Sequence, residues 1–468
     1  MMYLLVRIFL LMGPLLANPS RDGRLTRDRL AKGQVVDTVF CKGSPDQSYA
    51  LYLPANYSAE KTWPVVFIFE PGARGKLAVD IFKHAGEQFG SIIICSNNSS
   101  NEILLSECYR AAEAMFEDAF LRYQVDTSRL FVAGFSGGAR VASSLALEDP
   151  GIKGVIACGA GMYHNRNTHT RIRENLRYYG IIGQRDMNLQ DMIDTENRLA
   201  GSGTLSHFQY TGIGHVWPPP EEITAALAWL MVQVDNTDIN ARDFFLDYQA
   251  REIRSLEDQG HILDAAERLE SVIAFSPDPE LKSHLAGLQD SRMFKKQSRQ
   301  RERAFRKGIN LRNIYMNALA EFVCSTPLKP DTIHTDRWWT REIRILKRWE
   351  NSENIESSRL ASRLLYLMEA HFEEYIREFL KVKQRDKALF LADLWLKISP
   401  DQLWSLWNAA IVFTATGEKK NALVTIEKMV RSGKAEYEWF RDENGFESLS
   451  GEPGYMRLMK LLREQDNQ

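Results

Sequence analysis

Short runs of β-branched and aromatic residues alternate with helical patterns between residues 34 and 235. Parallel neighbouring strands need crossover connections, so this alternation predicts a mostly parallel sheet covered by helices on both faces. The predicted layout is an eight-stranded α/β sheet whose first strands form a meander. The strand segments are QVVDTVFC, QSYALYLP, PVVFIFEP, GSIIICS, RLFVAGF, GVIACGA, YYGIIGQ and LSHFQYT, and the helical segments are 101–123, 137–147, 189–200 and 221–234.

The strand signal ends near residue 240, and helical patterns continue to the end of the sequence. A chain of 468 residues exceeds what one hydrophobic core usually supports, so more than one domain is expected. Ala388 and Ala422 are 34 residues apart, which is the period of tetratricopeptide repeats, although an irregular helical bundle is an alternative. The predicted parts are an α/β domain (34–235), a helical region with one repeat-like helix pair and a basic bridge (241–350), and tetratricopeptide-like repeats (355–468).

The charges of the chain are nearly balanced, with 59 basic residues, 61 acidic residues and a formal net charge of -2. This balance gives no global reason to expect a nucleic acid or an acidic partner. Residues 292–307 contain eight basic side chains and one acidic side chain. The segment has few aromatic residues, which favours a solvated helix face over a binding site for anions.

The first 17 residues have features of a signal peptide. Arg7 precedes an apolar run that is too short to cross a bilayer, and Ala17 is a candidate cleavage point. A buried N-terminal segment and a misplaced start codon are the alternatives. We therefore predict export to the periplasm or the medium, with no membrane span in the later sequence.

The five cysteines have neither metal-ligand spacing nor the density of a disulfide scaffold. Cys95 and Cys108 bracket a loop and are candidates for a disulfide in an exported protein. Cys158 lies in the apolar run GVIACGAG and is expected in the core. The sequence implies no metal and no organic cofactor.

Ser136 lies between glycines where a predicted strand meets a predicted helix. Residues 134–138, GFSGG, have the Gly-x-Ser-x-Gly spacing of a nucleophile elbow, a sharp turn that exposes the serine hydroxyl. A serine hydroxyl is a poor nucleophile until a base removes its proton, so a histidine and a carboxylate must reach it. Asp186 follows the strand segment YYGII, and His215 follows LSHFQYT, which gives the chain order serine, acid, histidine.

Loops beyond the carboxyl ends of parallel strands converge on one crevice, so these three residues are expected to meet. Asp186 would orient the His215 ring and stabilise its charged form, and His215 would accept the Ser136 proton and return it to the leaving group. Each residue also has a structural alternative: Ser136 as a tight-turn residue, Asp186 as a helix cap and His215 as a surface histidine. Their order and their loops together favour catalysis.

Acyl transfer also needs hydrogen-bond donors for the oxyanion that develops on the carbonyl oxygen. The backbone N–H of Gly137 is the first predicted donor, because it follows the nucleophile at a helix N-terminus. The second is predicted to be the backbone N–H of Ala73, in the loop after PVVFIFEP, where Gly72 allows a turn. Glu70 and Arg74 in that loop are expected to form an ion pair or to shape the pocket.

Three segments resemble secreted esterases of the α/β-hydrolase superfamily that are related to poly(3-hydroxybutyrate) depolymerase and to feruloyl or acetylxylan esterases. YALYLPANY, DTSRLFVAGFSGGARVASSLA and GIGHVWPPPE resemble that group's first strand pair, nucleophile elbow and histidine loop. The resemblance covers residues 34–235 and implies that Ser136, Asp186 and His215 are nucleophile, acid and base. The group commonly has His-Gly in its oxyanion loop, where this chain has EPGA at 70–73.

The predicted function is therefore that of an exported serine hydrolase, a carboxylic ester hydrolase that forms an acyl-enzyme on Ser136. The short polar segment after Ala160 favours small or polymer-bound esters over emulsified fat. The helical region is expected to bind a protein partner or to position substrate. The alternatives are a peptidase of the same fold, because triad chemistry does not choose ester over amide, and a non-catalytic scaffold that acts through its repeat surface.

Overall fold

The computed structural model describes residues 31–163, 172–173, 175–325 and 336–466. The predicted signal peptide lies outside the described residues. The described residues form two compact units, which divide between residues 298 and 299. Within the described ranges, no helix is both long enough and apolar enough to cross a membrane.

The first unit contains all eight predicted strands. Several of them, including the third, fourth and sixth, are buried along their whole length, because helices cover both faces of the sheet. The strands are β1 (Val35–Phe40), β2 (Ser48–Tyr52), β3 (Trp63–Phe69), β4 (Ile92–Ser96), β5 (Val125–Phe135), β6 (Gly154–Cys158), β7 (Arg177–Gly183) and β8 (Leu205–Thr211).

Eight described helices of the first unit follow or connect these strands. The four predicted helical segments all form, within a few residues of their expected ends. The helices are α1 (Gly75–Gln88), α2 (Leu105–Arg122), α3 (Gly137–Glu148), α4 (Leu189–Ala200), α5 (Pro220–Val234), α6 (Ile239–Asp258), α7 (Ile262–Phe275) and α8 (Pro279–Asp290).

The sheet has the strand order β1-β2-β4-β3-β5-β6-β7-β8. β1 and β2 pair antiparallel, β2 pairs antiparallel with β4, and all other pairs are parallel. The predicted fold class, a mostly parallel eight-stranded sheet followed by a helical region, is confirmed.

The expected meander is wrong at its third strand. β2 pairs with β4, and β3 lies between β4 and β5. The reason is α1, a helix that the sequence analysis did not predict. It connects β3 to β4 as a crossover, and such a connection makes the two strands parallel neighbours.

Cys95 and Cys108 are both buried free thiols. The side chain of Cys95 packs with Ile93 and Ile68 on one face of the sheet, whereas Cys108 packs with Ile94 and Phe67 on the other face. The sheet separates the two thiols, so they do not form the disulfide that their spacing suggested. Cys158 is fully buried, as predicted, and burial raises the pKa of its thiol well above the ordinary value.

Helices α6 to α8 belong to the first unit, although the sequence analysis placed a domain boundary before them. In α7, the buried guanidinium of Arg268 donates to Gln249 Oε1 at 2.6 Å and lies 3.4 Å from the buried carboxylate of Glu222 in α5. A buried charge is costly without such partners, so this polar cluster fixes α7 to α5. The chain therefore divides between residues 298 and 299 rather than near 240.

The second unit is helical throughout its named elements. Ala388 and Ala422 are fully buried and each is the fourth residue of its helix, in agreement with a 34-residue period. The tetratricopeptide assignment itself stays a prediction. The boundary between the units falls within α9 (Arg292–Cys324), and the later elements are α10 (Asp336–Glu350), α11 (Ile355–Lys381), α12 (Arg385–Ile398), α13 (Leu403–Thr416), α14 (Lys419–Arg431), α15 (Tyr437–Asp442), a 3-10 helix (Asn444–Leu449) and α16 (Pro453–Asp466).

His207 lies in the middle of β8 with its side chain buried. Its ring stacks on Tyr179 with 4.6 Å between the ring centroids, and the rings of Trp229 and Phe245 pack around it. Burial lowers the pKa of His207 to about 3, and the positive charge of Arg268 acts in the same direction. His207 is therefore an uncharged packing residue.

Replacing His207 with Phe is expected to make stability less dependent on pH. The pKa of His207 falls from its ordinary 6.5 to about 3 in the fold, so the unfolded chain binds the proton first as the pH drops through this window. The contribution of neutral His207 to the free energy of unfolding is therefore complete above the pKa of the unfolded chain and is lost as the pH falls. The expected loss is roughly 2 kcal/mol between pH 6.5 and pH 5. Urea unfolding of both proteins at several pH values measures this difference. An equally steep loss in His207→Phe would contradict the assignment.

Candidate active site

The structure brings Ser136, His215 and Asp186 into one hydrogen-bonded chain. Ser136 Oγ is 2.9 Å from His215 Nε2, and His215 Nδ1 is 2.9 Å from both carboxylate oxygens of Asp186. Because the carboxylate accepts a hydrogen bond from Nδ1, Nε2 is the nitrogen that can accept the serine proton. The arrangement gives the serine hydroxyl a base and gives that base an orienting carboxylate.

A sharp turn between β5 and α3 positions Ser136. Its φ of 50° and ψ of -120° lie in a region that residues with side chains rarely adopt. Its N–H donates to the carbonyl oxygen of Cys158 in β6 at 2.8 Å. The serine is thus held at the carboxyl end of β5 in the strained geometry of a nucleophile elbow.

The glycines of the elbow allow α3 to lie very close to the sheet. A Cβ atom on Gly138 would be 2.0 Å from the carbonyl oxygen of Phe69 in β3. A Cβ atom on Gly134 would be 2.3 Å from the carbonyl group of Gly138. Any side chain at either position would therefore push the first turn of the helix away from the strands.

The loops after β7 and β8 are joined by backbone hydrogen bonds. Gln184 N–H donates to the carbonyl oxygen of Thr211 at 2.7 Å, and Arg185 N–H donates to that of Ile213 at 3.1 Å. Gly183 permits this approach, since a Cβ atom there would be 2.2 Å from the Ile213 carbonyl oxygen. Residues that are 29 apart in sequence, Asp186 and His215, are thereby placed side by side.

Further contacts fix the acid and the imidazole. Asn188 N–H donates to Asp186 Oδ1 at 2.8 Å, and the Asn188 side chain donates to the carbonyl oxygen of Gly159 at 2.8 Å. The Phe135 ring packs on His215 at 4.7 Å between centroids, and Trp217 packs on Phe135 at 5.2 Å. Sequence reasoning missed these residues, although each is close in sequence to a triad residue.

The acid loop is also held from α7. The side chain of Gln184 donates to Asp264 Oδ1 at 2.9 Å, and both residues are buried. The two residues are 80 apart in sequence, and α7 was assigned to a separate helical region. No local pattern in the sequence indicates this contact.

Gly137 has the position predicted for the first oxyanion donor, directly after Ser136 at the N-terminus of α3. The first backbone hydrogen bonds of this helix are donated by Ala139 and Arg140 to the Ser136 carbonyl oxygen. The N–H of Gly137 precedes these donors and belongs to the group that a helix leaves without an internal acceptor. It lies where a developing negative charge next to Ser136 would be stabilised.

The loop predicted to supply the second donor is folded around Glu70. This fully buried carboxylate accepts hydrogen bonds from Gly72 N–H at 2.7 Å and Arg74 N–H at 3.0 Å, and it pairs with the Arg74 guanidinium. The Ala73 N–H donates to the Glu70 carbonyl oxygen at 3.1 Å. The expected ion pair is present, but the Ala73 N–H closes a turn within its own loop, so this geometry does not support Ala73 as the second donor.

Arg140 forms an ion pair with Asp191 beside the elbow. Its Nη2 atom is 3.0 Å from Asp191 Oδ2, which also accepts a hydrogen bond from Gly161 N–H at 3.0 Å. Asp191 therefore connects α3, α4 and the segment after β6. It does not take the place of Asp186 beside His215.

Replacing Gly138 with Ala is expected to lower the free energy of unfolding by roughly 2 kcal/mol or more, because the added methyl group overlaps the Phe69 carbonyl oxygen. The control is Gly212→Ala in the loop before His215, where an added Cβ meets no atom within 4 Å. The control is expected to stay within about 0.5 kcal/mol of the wild type. Urea unfolding measures both variants, and equal stabilities would refute the close approach.

No model of a known protein family matches the chain, and no curated protein sequence matches it. Solved structures of similar fold include an esterase of Pyrobaculum calidifontis, at 12% identity and a TM-score of 0.35, covering 44% of this chain and 86% of that one. They also include a fluorophosphonate-binding serine hydrolase of Staphylococcus aureus, at 12% identity and a TM-score of 0.34, covering 43% of this chain and 99% of that one. A ferulic acid esterase has 17% identity and a TM-score of 0.34, covering 43% of this chain and 98% of that one.

Proposed function

We propose that this protein is a serine hydrolase that cleaves carboxylic esters through an acyl-enzyme on Ser136. The observation that carries the proposal is the unbroken chain of 2.9 Å contacts from Ser136 Oγ through the His215 ring to the Asp186 carboxylate. A serine that serves only as a turn residue needs no base, and a surface histidine needs no buried carboxylate. The three residues together match the requirements of nucleophilic catalysis.

In the acylation half of the reaction, Ser136 Oγ attacks the carbonyl carbon of the ester while its proton moves to His215 Nε2. The C–O bond to the alcohol then breaks, and His215 returns the proton to the departing alkoxide oxygen. The Asp186 carboxylate stabilises the imidazolium between these steps. The Gly137 N–H donates to the oxyanion of the tetrahedral intermediate.

In the deacylation half, His215 takes a proton from water, and the resulting oxygen nucleophile attacks the acyl carbon on Ser136. The bond from the acyl group to Ser136 Oγ breaks, and the proton returns to that oxygen from His215. The products are a carboxylic acid and the free enzyme. These steps need no metal and no organic cofactor.

The proposed substrates are small or polymer-bound esters, following the resemblance to secreted esterases and the polar composition of the segment after Ala160. The choice of ester over amide rests on the same resemblance. Export of the protein, and a role of the helical region in binding a protein partner or positioning substrate, stay predictions from the sequence.

Replacing Ser136 with Ala is expected to abolish both fluorophosphonate labelling and the hydrolysis of short p-nitrophenyl esters, with kcat lowered by roughly 10⁴- to 10⁶-fold. The matched control is Ser128→Ala, a change to an exposed serine of the same strand, which should label and turn over like the wild type. A folded wild type that is neither labelled nor active would contradict the proposal. Faster cleavage of peptide amides than of esters would instead favour the peptidase alternative.

Replacing Asp186 with Asn is expected to lower kcat by roughly 10³- to 10⁴-fold near neutral pH, because the amide no longer holds the proton on His215 Nδ1. The control is Asp194→Asn in α4, whose carboxylate bonds to Gln190 one turn away rather than to His215. Steady-state kinetics on the same ester should leave the control close to the wild type. Equal kcat values for the two variants would remove Asp186 from the mechanism.

A further inference from the structure

The elbow has a polar neighbour that the triad does not use, the side chain of Asn101. A Cβ atom on Gly137 would be 1.8 Å from Asn101 Oδ1, 2.8 Å from Cγ and 3.2 Å from Nδ2. The amide group of Asn101 therefore lies directly against the α-carbon of Gly137. That carbon is bonded to the nitrogen whose hydrogen is the first oxyanion donor.

The backbone of Asn101 is fixed to the loop at residues 70–74. Its N–H donates to the carbonyl oxygen of Pro71 at 2.8 Å, and the preceding Ser100 forms an antiparallel bridge with Gly72. Asn101 therefore belongs to a segment that is held against the loop at 70–74. Its own side chain reaches the start of α3. The loop at 70–74 therefore sets the position of the Asn101 backbone.

The amide of Asn101 is available for a ligand. Its residue is exposed, and among the residues that the structure describes no group forms a hydrogen bond with its side-chain amide. An asparagine amide has two donor hydrogens on Nδ2 and one acceptor oxygen. The torsion about the Cβ–Cγ bond has two broad minima in which Nδ2 and Oδ1 exchange positions. Nδ2 can therefore occupy the position beside Gly137 that Oδ1 has here when a negative charge attracts its N–H groups.

We propose that Asn101 is a catalytic residue whose side-chain amide donates the second hydrogen bond to the oxyanion. This inference rests on the proposed function, because it concerns the acyl group that Ser136 carries. Asn101 would take the donor role that was predicted for Ala73, since the Ala73 N–H donates to the Glu70 carbonyl oxygen. Side-chain amides serve as oxyanion donors together with backbone N–H groups in other acyl-transfer sites.

The transition state carries more negative charge on the carbonyl oxygen than the bound ester does. A donor aimed at that oxygen therefore lowers the barrier more than it strengthens substrate binding. Loss of the Asn101 amide should consequently reduce kcat and leave KM almost unchanged. It should also weaken the binding of a boronic acid inhibitor, because its anionic tetrahedral adduct on Ser136 places a boronate hydroxyl oxygen at the same position.

The test uses the full chain with Asn101→Asp and Asn101→Ala, measured on p-nitrophenyl acetate and with phenylboronic acid as inhibitor. Asp keeps the shape of Asn but has no donor hydrogens when ionised, so it preserves a purely structural role. Both variants are expected to lose roughly 10²-fold in kcat, with KM within about threefold and with a parallel rise in the inhibition constant. The control is Glu102→Gln, one residue further along the same exposed turn.

Wild-type kcat in both Asn101 variants would overturn this inference while leaving the proposed function intact, provided that Ser136→Ala is inactive. A fall in kcat without a rise in the inhibition constant of phenylboronic acid would also overturn it, because the loss of an oxyanion donor must weaken the tetrahedral adduct as well as the transition state. If Asn101→Asp does not fold, Asn101→Ala gives the same two measurements. A wild type without labelling or turnover would refute both proposals.

Discussion

The close approach between the first turn of α3 and the end of β3 is the constraint on which the site depends. At Gly138 the two backbones leave no room for a side chain, so Ser136 must turn through a strained conformation between β5 and α3. That turn places the serine hydroxyl beyond the edge of the sheet and the N–H of Gly137 beside it. The acid and histidine loops, joined through Gly183 and Ile213, can then meet the hydroxyl from the other side.

Buried polar groups connect the helices after β8 to the loops of the site. The cluster of Arg268, Glu222 and Gln249 binds α7 to α5, and Asp264 of α7 accepts a hydrogen bond from Gln184 in the acid loop. Burying these groups is favourable only when each has its partner. Helix α7, which lies beyond the predicted catalytic domain in sequence, thus supports the loop that carries Asp186.

Much of the fold and site follows from local patterns in the sequence. The eight strands were predictable because each is a short β-rich run, and the meeting of Ser136, Asp186 and His215 was predictable because each follows one of those strands. The partner of β2 was not, since it depends on the crossover through α1. Nor were the Gln184–Asp264 contact and the contact of Asn101 with Gly137, because no local pattern in the sequence marks either pair. The engagement of the Ala73 N–H depends on a turn that composition does not specify.

The central claim is that Ser136 is an activated nucleophile that carries the acyl group. Its most direct test is to quench the enzyme in acid during turnover of p-nitrophenyl acetate and to measure the masses of its peptides. The account predicts an acetyl group on the peptide that contains Ser136 in the wild type, accumulating when deacylation is slower than acylation. Turnover at full rate with the acetyl group on a different residue, and with Ser136 dispensable, would contradict it.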